Sequence, residues 1–160
     1  SDDDFIGFVF GFNSLTDYYL FDWKQGEQTY SGFASDGFTL SKISGSNVNL
    51  WDHSGADISV LGTDYGNSGN DKGWADETVY DFTLDYTDTS VKIDIDGNTI
   101  FNISGLSNST GKFGFYNYSQ ASVRYQGFEE DVSPSTVPEP ATLVLFSSGL
   151  AGVFLRKRKR

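Results

Sequence analysis

Apolar and polar residues alternate with a period of two through most of the first 130 positions. Ile6, Phe8, Phe10 and Phe12 fall on one side of an extended chain, and Gly7, Val9 and Gly11 on the other. Tyr80, Phe82, Leu84 and Tyr86 are separated by Asp81, Thr83 and Asp85, and Val91, Ile93 and Ile95 alternate with Lys92, Asp94 and Asp96. Successive side chains of a strand point to opposite faces, so this spacing predicts half-buried antiparallel strands. Further strands are predicted at 18–23, 37–43, 48–51, 99–103, 112–118 and 121–128. Asp36-Gly37, Ser44-Gly45, Asp96-Gly97 and Thr110-Gly111 supply turns between them. Residues 62–78 read as a long polar loop, and 129–140 as an acidic, Ser/Pro-containing linker. Short strands at this spacing predict an all-β fold, an antiparallel jelly roll or β-sandwich. Phe5–Phe12 is nearly free of charge on both faces, the mark of an interior strand, and Gly7 and Gly11 leave room for a further element to approach closely.

The alternation stops at the C-terminus. Val137-Pro138-Glu139-Pro140-Ala141 leads into an apolar run, 141–155, and the chain ends on Arg156-Lys157-Arg158-Lys159-Arg160. The two prolines keep Glu139 extended and open to a processing enzyme. The run predicts a hydrophobic helix. Its 15 residues span about 22 Å, short of the roughly 30 Å hydrocarbon core of a bilayer. Gly149 and Gly152 weaken it further. The basic tail resists translocation and stays in the cytoplasm. A core helix does not end in five bare charges, and a permanent anchor is longer, so a transient membrane helix is expected. This order of parts resembles the PEP-CTERM sorting signal. The resemblance implies export across the inner membrane of a Gram-negative bacterium, transient anchoring, and processing near Pro138-Glu139-Pro140 by an exosortase. The product then reaches the cell surface or the outside. Such a protein also needs an N-terminal export signal, so the sequence, which opens at Ser1, is expected to be incomplete there.

Composition supports a packed domain. Aromatics make up 16% of the chain, enough for a core despite the charge. Before the tail, six basic residues face 22 acidic ones, a balance of −16 that the tail brings to −11. A body this acidic argues against nucleic acid as a partner and is compatible with calcium, which takes oxygen ligands. Acidity also serves simply to keep an exported domain soluble. The absence of cysteine removes disulfides and thiolate metal sites, and a single histidine, His53, excludes sites built on several.

Further residues carry a second resemblance. The opening Asp2-Asp3-Asp4-Phe5-Ile6-Gly7-Phe8-Val9-Phe10-Gly11-Phe12, then Tyr18–Gln25 with its Trp23-Lys24-Gln25, and Gln28-Thr29-Tyr30 are similar to the thrombospondin C-terminal domain. Leu50-Trp51, Gly73-Trp74, the 111–116 strand and Val123-Arg124-Tyr125 follow in similar order. The resemblance implies a calcium-binding, lectin-like jelly roll related to the concanavalin-type sandwich. The acidic triplet lies well inside that family's domain, so the sandwich over 1–130 is expected to lack its first strands.

Two groups of oxygen ligands are candidates for calcium. Asp2, Asp3 and Asp4 open a strand, where alternation sends Asp3 away from the other two. One or two of them can join loop oxygens around Ca²⁺, or all can be a solvated strand end. The loop 64–71 offers Asp64, Asn67, Asn70 and Asp71 among glycines, without the terminal Glu of an EF-hand, and reads equally as a plain surface loop. Asp94-Ile95-Asp96-Gly97-Asn98 is assigned to a hairpin turn. Trp51, Trp74 and Tyr65 lie in or beside loops where aromatic rings can stack on sugars, whereas Trp23 continues the core alternation. The closely spaced carboxylates of sandwich glucanases (Glu-x-Asp-x-x-Glu) are missing.

The expected protein is a non-enzymatic, exported binding module that takes calcium, with extracellular polysaccharide as candidate ligand. A glycan hydrolase with catalytic residues before Ser1, or a ligand-free matrix protein, are the alternatives. The expected boundaries are a sandwich over 1–130, a linker over 131–140, a transmembrane sorting helix over 141–155 and a cytoplasmic tail over 156–160.

Overall fold

The computed structural model describes residues 4–67, 71–107 and 109–127. Ten strands are present among them: β1 (Phe5–Ser14), β2 (Asp17–Lys24), β3 (Gln28–Thr29), β4 (Phe33–Ala34), β5 (Gly37–Ile43), β6 (Ile58–Tyr65), β7 (Phe82–Tyr86), β8 (Ser90–Ile95), β9 (Asn98–Ser104) and β10 (Lys112–Tyr118). A five-stranded sheet runs in the order β10-β1-β2-β5-β6, a three-stranded sheet in the order β7-β8-β9, and β3-β4 form a small hairpin. The pairings within these sheets are antiparallel. Among the described residues no helix is long and apolar enough to cross a membrane, and the expected sorting helix at 141–155 lies outside them.

The two main sheets pack face to face through the residues that alternation puts inside. Phe8 and Phe10 from β1, Tyr19, Phe21 and Trp23 from β2, and Phe38 and Leu40 from β5 meet Val91, Ile93, Ile95 and Phe101 of the smaller sheet. Phe8 stacks on Phe21 with centroids 4.8 Å apart, and Phe10 on Tyr19 at 5.1 Å. Full burial of a side chain of this size contributes about 1.5–3 kcal/mol, so this layer carries much of the stability. Trp23 and Trp74 both belong to it. The three-stranded sheet is narrower than its partner. At the β10 edge Phe115 stays half-exposed and stacks on Tyr125 at 4.3 Å.

β1 is interior, paired on both edges. Gly7 has a different reason from the one expected. A Cβ there would land on the carbonyl oxygen of Phe21 and lie 2.9 Å from the Asp22 Cα, so the close neighbour is β2 itself. Gly7→Ala should therefore cost about 1–3 kcal/mol by forcing the two central strands apart. A urea midpoint equal to wild type would show that they separate freely. Phe12 also departs from the alternation. Register slips between Val9 and Phe12 against β10, with Gly11 at φ +54°, a bulge that turns Phe12 out of the core row to meet Tyr18 at 5.8 Å.

Three predicted elements change. Residues 48–51 form a turn with one isolated bridge, Asn49 to Ser54, in place of a strand. Residues 121–127 are irregular. The polar stretch expected to begin at 62 is strand until Tyr65, because Ile58–Tyr65 completes the sheet beside β5. The hairpin at Asp96-Gly97 is present, with φ of 50° and 76°, the paired left-handed geometry of a tight turn. Lys92 and Thr99 hydrogen-bond to Asp94 and hold its carboxyl below the usual range, and Asp96 Oδ1 accepts from the Asp81 amide at 2.9 Å.

Candidate functional site

The outer face of the large sheet carries the chemistry. Cross-strand register sets Phe5 opposite Lys24 and Tyr118, and Lys24 opposite Gly37; the next row is Tyr116, Gly7, Asp22 and Thr39. Lys24, Asp22, Thr39 and Ser41 are fully or almost fully buried. The segment after β5 reaches Lys24 through Trp51 and Asp22 through His53. His53, at φ +54°, places Nε2 2.8 Å from Asp22 Oδ2. Burial pushes the Asp22 carboxyl up, partly countered by His53. Burial and the nearby Asp22 charge likewise raise the Tyr116 and Tyr65 hydroxyls, with Thr39 partly countering at Tyr65. Asp22 Oδ1, Ser41 Oγ and the Tyr116 hydroxyl are buried without a hydrogen-bond partner among the described residues.

This tether sets Trp51 over one end of the sheet. Its ring is buried, edge-on to Phe5 at 5.6 Å, and its Nε1 donates to Gly32 O at 3.1 Å. The Lys24 ammonium lies 4.5 Å from the Trp51 ring centroid and 5.0 Å from that of Phe5. Asp4 Oδ1 lies 3.9 Å from it, and it donates to Gln28 Oε1 at 3.3 Å.

A second cluster forms where β5 begins and β6 ends. Asp36 is fully buried; its Oδ2 accepts the Lys72 amide at 2.8 Å and its Oδ1 has no hydrogen-bond partner among the described residues. A Cβ on Gly66 would stand 2.5 and 2.6 Å from the two Asp36 oxygens and also against Asp71 Oδ1. Asp71 Oδ1 accepts from the Asn67 amide at 3.0 Å. Two carboxylates thus converge on a space that only a glycine leaves open. Like charges this close repel unless a cation sits between them.

The sequence matches the thrombospondin C-terminal region over residues 1–132. The chain belongs to that family. Residues 136–159 match the PEP-CTERM protein-sorting motif. No curated protein sequence matches the chain. The sorting motif marks an exosortase-processed, secreted protein of a Gram-negative bacterium, held transiently in the membrane and ending at the cell surface or outside.

Within this thrombospondin C-terminal domain the expected ligands separate. Asp2, Asp3 and Asn70 lie outside the described residues, as do Pro138, Glu139, Pro140, Arg156, Lys157 and Arg158. Asp4 faces the Lys24 ammonium. Asp64 is paired with Lys72 at 3.0 Å. Asn67 and Asp71 are brought to Asp36, a residue that sequence reading assigned to a turn. No group of three or more His, Asp or Glu residues suited to a metal occurs among the described residues. Calcium needs no such group, since it also takes backbone carbonyls, amide side chains and water. The orphaned Asp36 oxygen and the Gly66 opening fit such an ion.

Proposed function

We infer that this domain is a non-enzymatic binding module of the cell surface or extracellular matrix, stabilised by calcium and with extracellular polysaccharide as its ligand. Thrombospondin C-terminal domains bind calcium. The observation that carries the reading is Asp36 Oδ1, a buried carboxylate oxygen without a hydrogen-bond partner among the described residues, turned into the same opening as Asp71. Asp36, Asp71 and Asn67 hold the ion; Asp2 and Asp3 are a second candidate pair. The sandwich over 1–130, the linker over 131–140, the membrane helix over 141–155 and the cytoplasmic tail over 156–160 then act in sequence: bind, space, anchor, retain.

Calcium bound only to the folded state stabilises it by about 2.7 kcal/mol at a hundredfold excess over Kd. The processed protein should therefore melt on the order of 10 °C higher in saturating calcium than in chelator. Asp36→Asn, which keeps an acceptor for the Lys72 amide, should abolish most of the shift, and Asp64→Asn should leave it. Coincident melting curves for the wild type would overturn the calcium reading. A full shift in Asp36→Asn would overturn this location.

A further inference from the structure

Beside Trp51 the surface opens into a cleft of about 470 Å³, within the range of small-molecule sites. Trp51 and Tyr118 line it, with ring centroids 5.8 Å apart, and Tyr30 stands edge-on to Trp51 at 5.4 Å. Tyr30 is 75% exposed. Its position is nonetheless built. Trp51 is fixed by its bond to Gly32 O and by an amide bond to Asn49 Oδ1 at 3.1 Å, and Asn49 Nδ2 donates to Ser31 O at 2.6 Å. These bonds tie the segment that carries Tyr30 to the turn that carries Trp51.

The polar rim is equally determined. Lys24 holds Gln28 Oε1, which leaves the amide N–H groups of Gln28 for a ligand. On the far side Asn117 braces the turn, donating to Gln120 O at 2.7 Å and accepting from the Gln120 amide at 3.0 Å. Within that turn Ser119 is held at φ +62°, a conformation that side chains other than glycine, asparagine or aspartate rarely adopt, and such residues cluster at binding sites. Asp4, the carboxylate of the cleft, lies beside the Lys24 ammonium.

We propose that this cleft binds a neutral saccharide, with one ring face stacked on Tyr30 and its hydroxyls taken by Gln28 and Ser119. Tyrosine joins an apolar face to a polar tip, which matches the C–H face and hydroxyl edge of a pyranose. The charge argument selects neutral sugars. Asp4 is compensated locally, and the remaining body carries a large negative excess, so a polymer of uronic acids is repelled over the Debye length. The inference rests on the reading of the domain as a polysaccharide-binding module and names the site and the ligand class.

The test uses the processed protein in calcium, titrated by calorimetry and by tryptophan emission. The probes are hexasaccharides of neutral glucan, mannan and galactan, and an oligouronate of equal length. At least one neutral probe should bind and perturb tryptophan emission, and the oligouronate should not. Tyr30→Ala, an exposed position, should melt with wild type and weaken that binding about tenfold or more, the usual effect of removing an aromatic anchor. Tyr65→Ala should leave it unchanged. Tighter binding of the oligouronate would overturn the charge argument. Neutral binding undiminished in Tyr30→Ala would overturn the cleft. Absence of any binding, in a protein that calcium still stabilises, would sink this inference and leave the calcium site standing.

Discussion

Replacing Pro138, Glu139 and Pro140 together by alanine should leave the protein as an unprocessed precursor in the inner membrane. The two prolines bar a helix through the triplet, since each lacks a backbone donor and crowds the preceding turn. Alanine is the strongest helix former, so the replacement favours helix over the full 138–155 stretch. Its 18 residues would span about 27 Å, close to the thickness of the hydrocarbon core. The same change removes the Glu139 charge that opposes burial in lipid. A short, cleavable segment becomes a durable anchor, still held by the basic tail. Fractionation with mass measurement decides the matter. Wild-type protein should appear in the shorter, surface or secreted form, and the variant in the full-length membrane form. Equal maturity and equal location of the two would end the idea that exosortase recognition depends on this triplet.

Lys24→Met should be the costliest single change on the outer face of the sheet. The Lys24 ammonium is fully buried, between the rings of Phe5 and Trp51, and Asp4 beside it is 5% exposed. Methionine keeps the volume and removes the charge. The Asp4 carboxylate then loses the Lys24 counter-charge in a dry setting, and breaking a buried pair in this way costs about 3–5 kcal/mol. Asp4→Asn in the same chain should recover part of that loss, because an amide needs no counter-charge. Chemical unfolding of the four proteins of the cycle measures the coupling. A Lys24→Met midpoint within about 0.5 kcal/mol of wild type, the range of ordinary surface substitutions, would show that the pair is solvated. Trp51, one of the two rings against Lys24, also lines the saccharide cleft, so the single variant should lose sugar binding along with stability.

The alternation of Phe8, Phe10, Phe21, Ile93 and Ile95 was enough to predict the sandwich, because the inward face of a strand is a local property of its sequence. The hairpin at Asp96-Gly97 was legible for the same reason. The sorting signal, too, is entirely local: prolines, an apolar run and charge act at the residues that carry them. Edge strand β6 was not legible. Both its faces are largely exposed, so nothing forces Ile58–Tyr65 to alternate, and only pairing with β5 makes it a strand.

The sites depended on residues distant in sequence. Asp36 reads as half of an Asp-Gly turn; it becomes a buried carboxylate only when β5–β6 pairing brings Gly66 and Asp71 against it. Trp51 falls where a strand was expected, yet the His53–Asp22 bond draws its turn across the sheet, and Tyr30, which the sequence did not single out for sugar, is held beside it. The sequence by itself determined the alternating core strands, the interior layer they form and the route of export. Only the tertiary structure decided which carboxylates meet, which cation is buried and which aromatic ring faces outward, because burial and proximity depend on the packing of the whole chain and local pattern does not encode them.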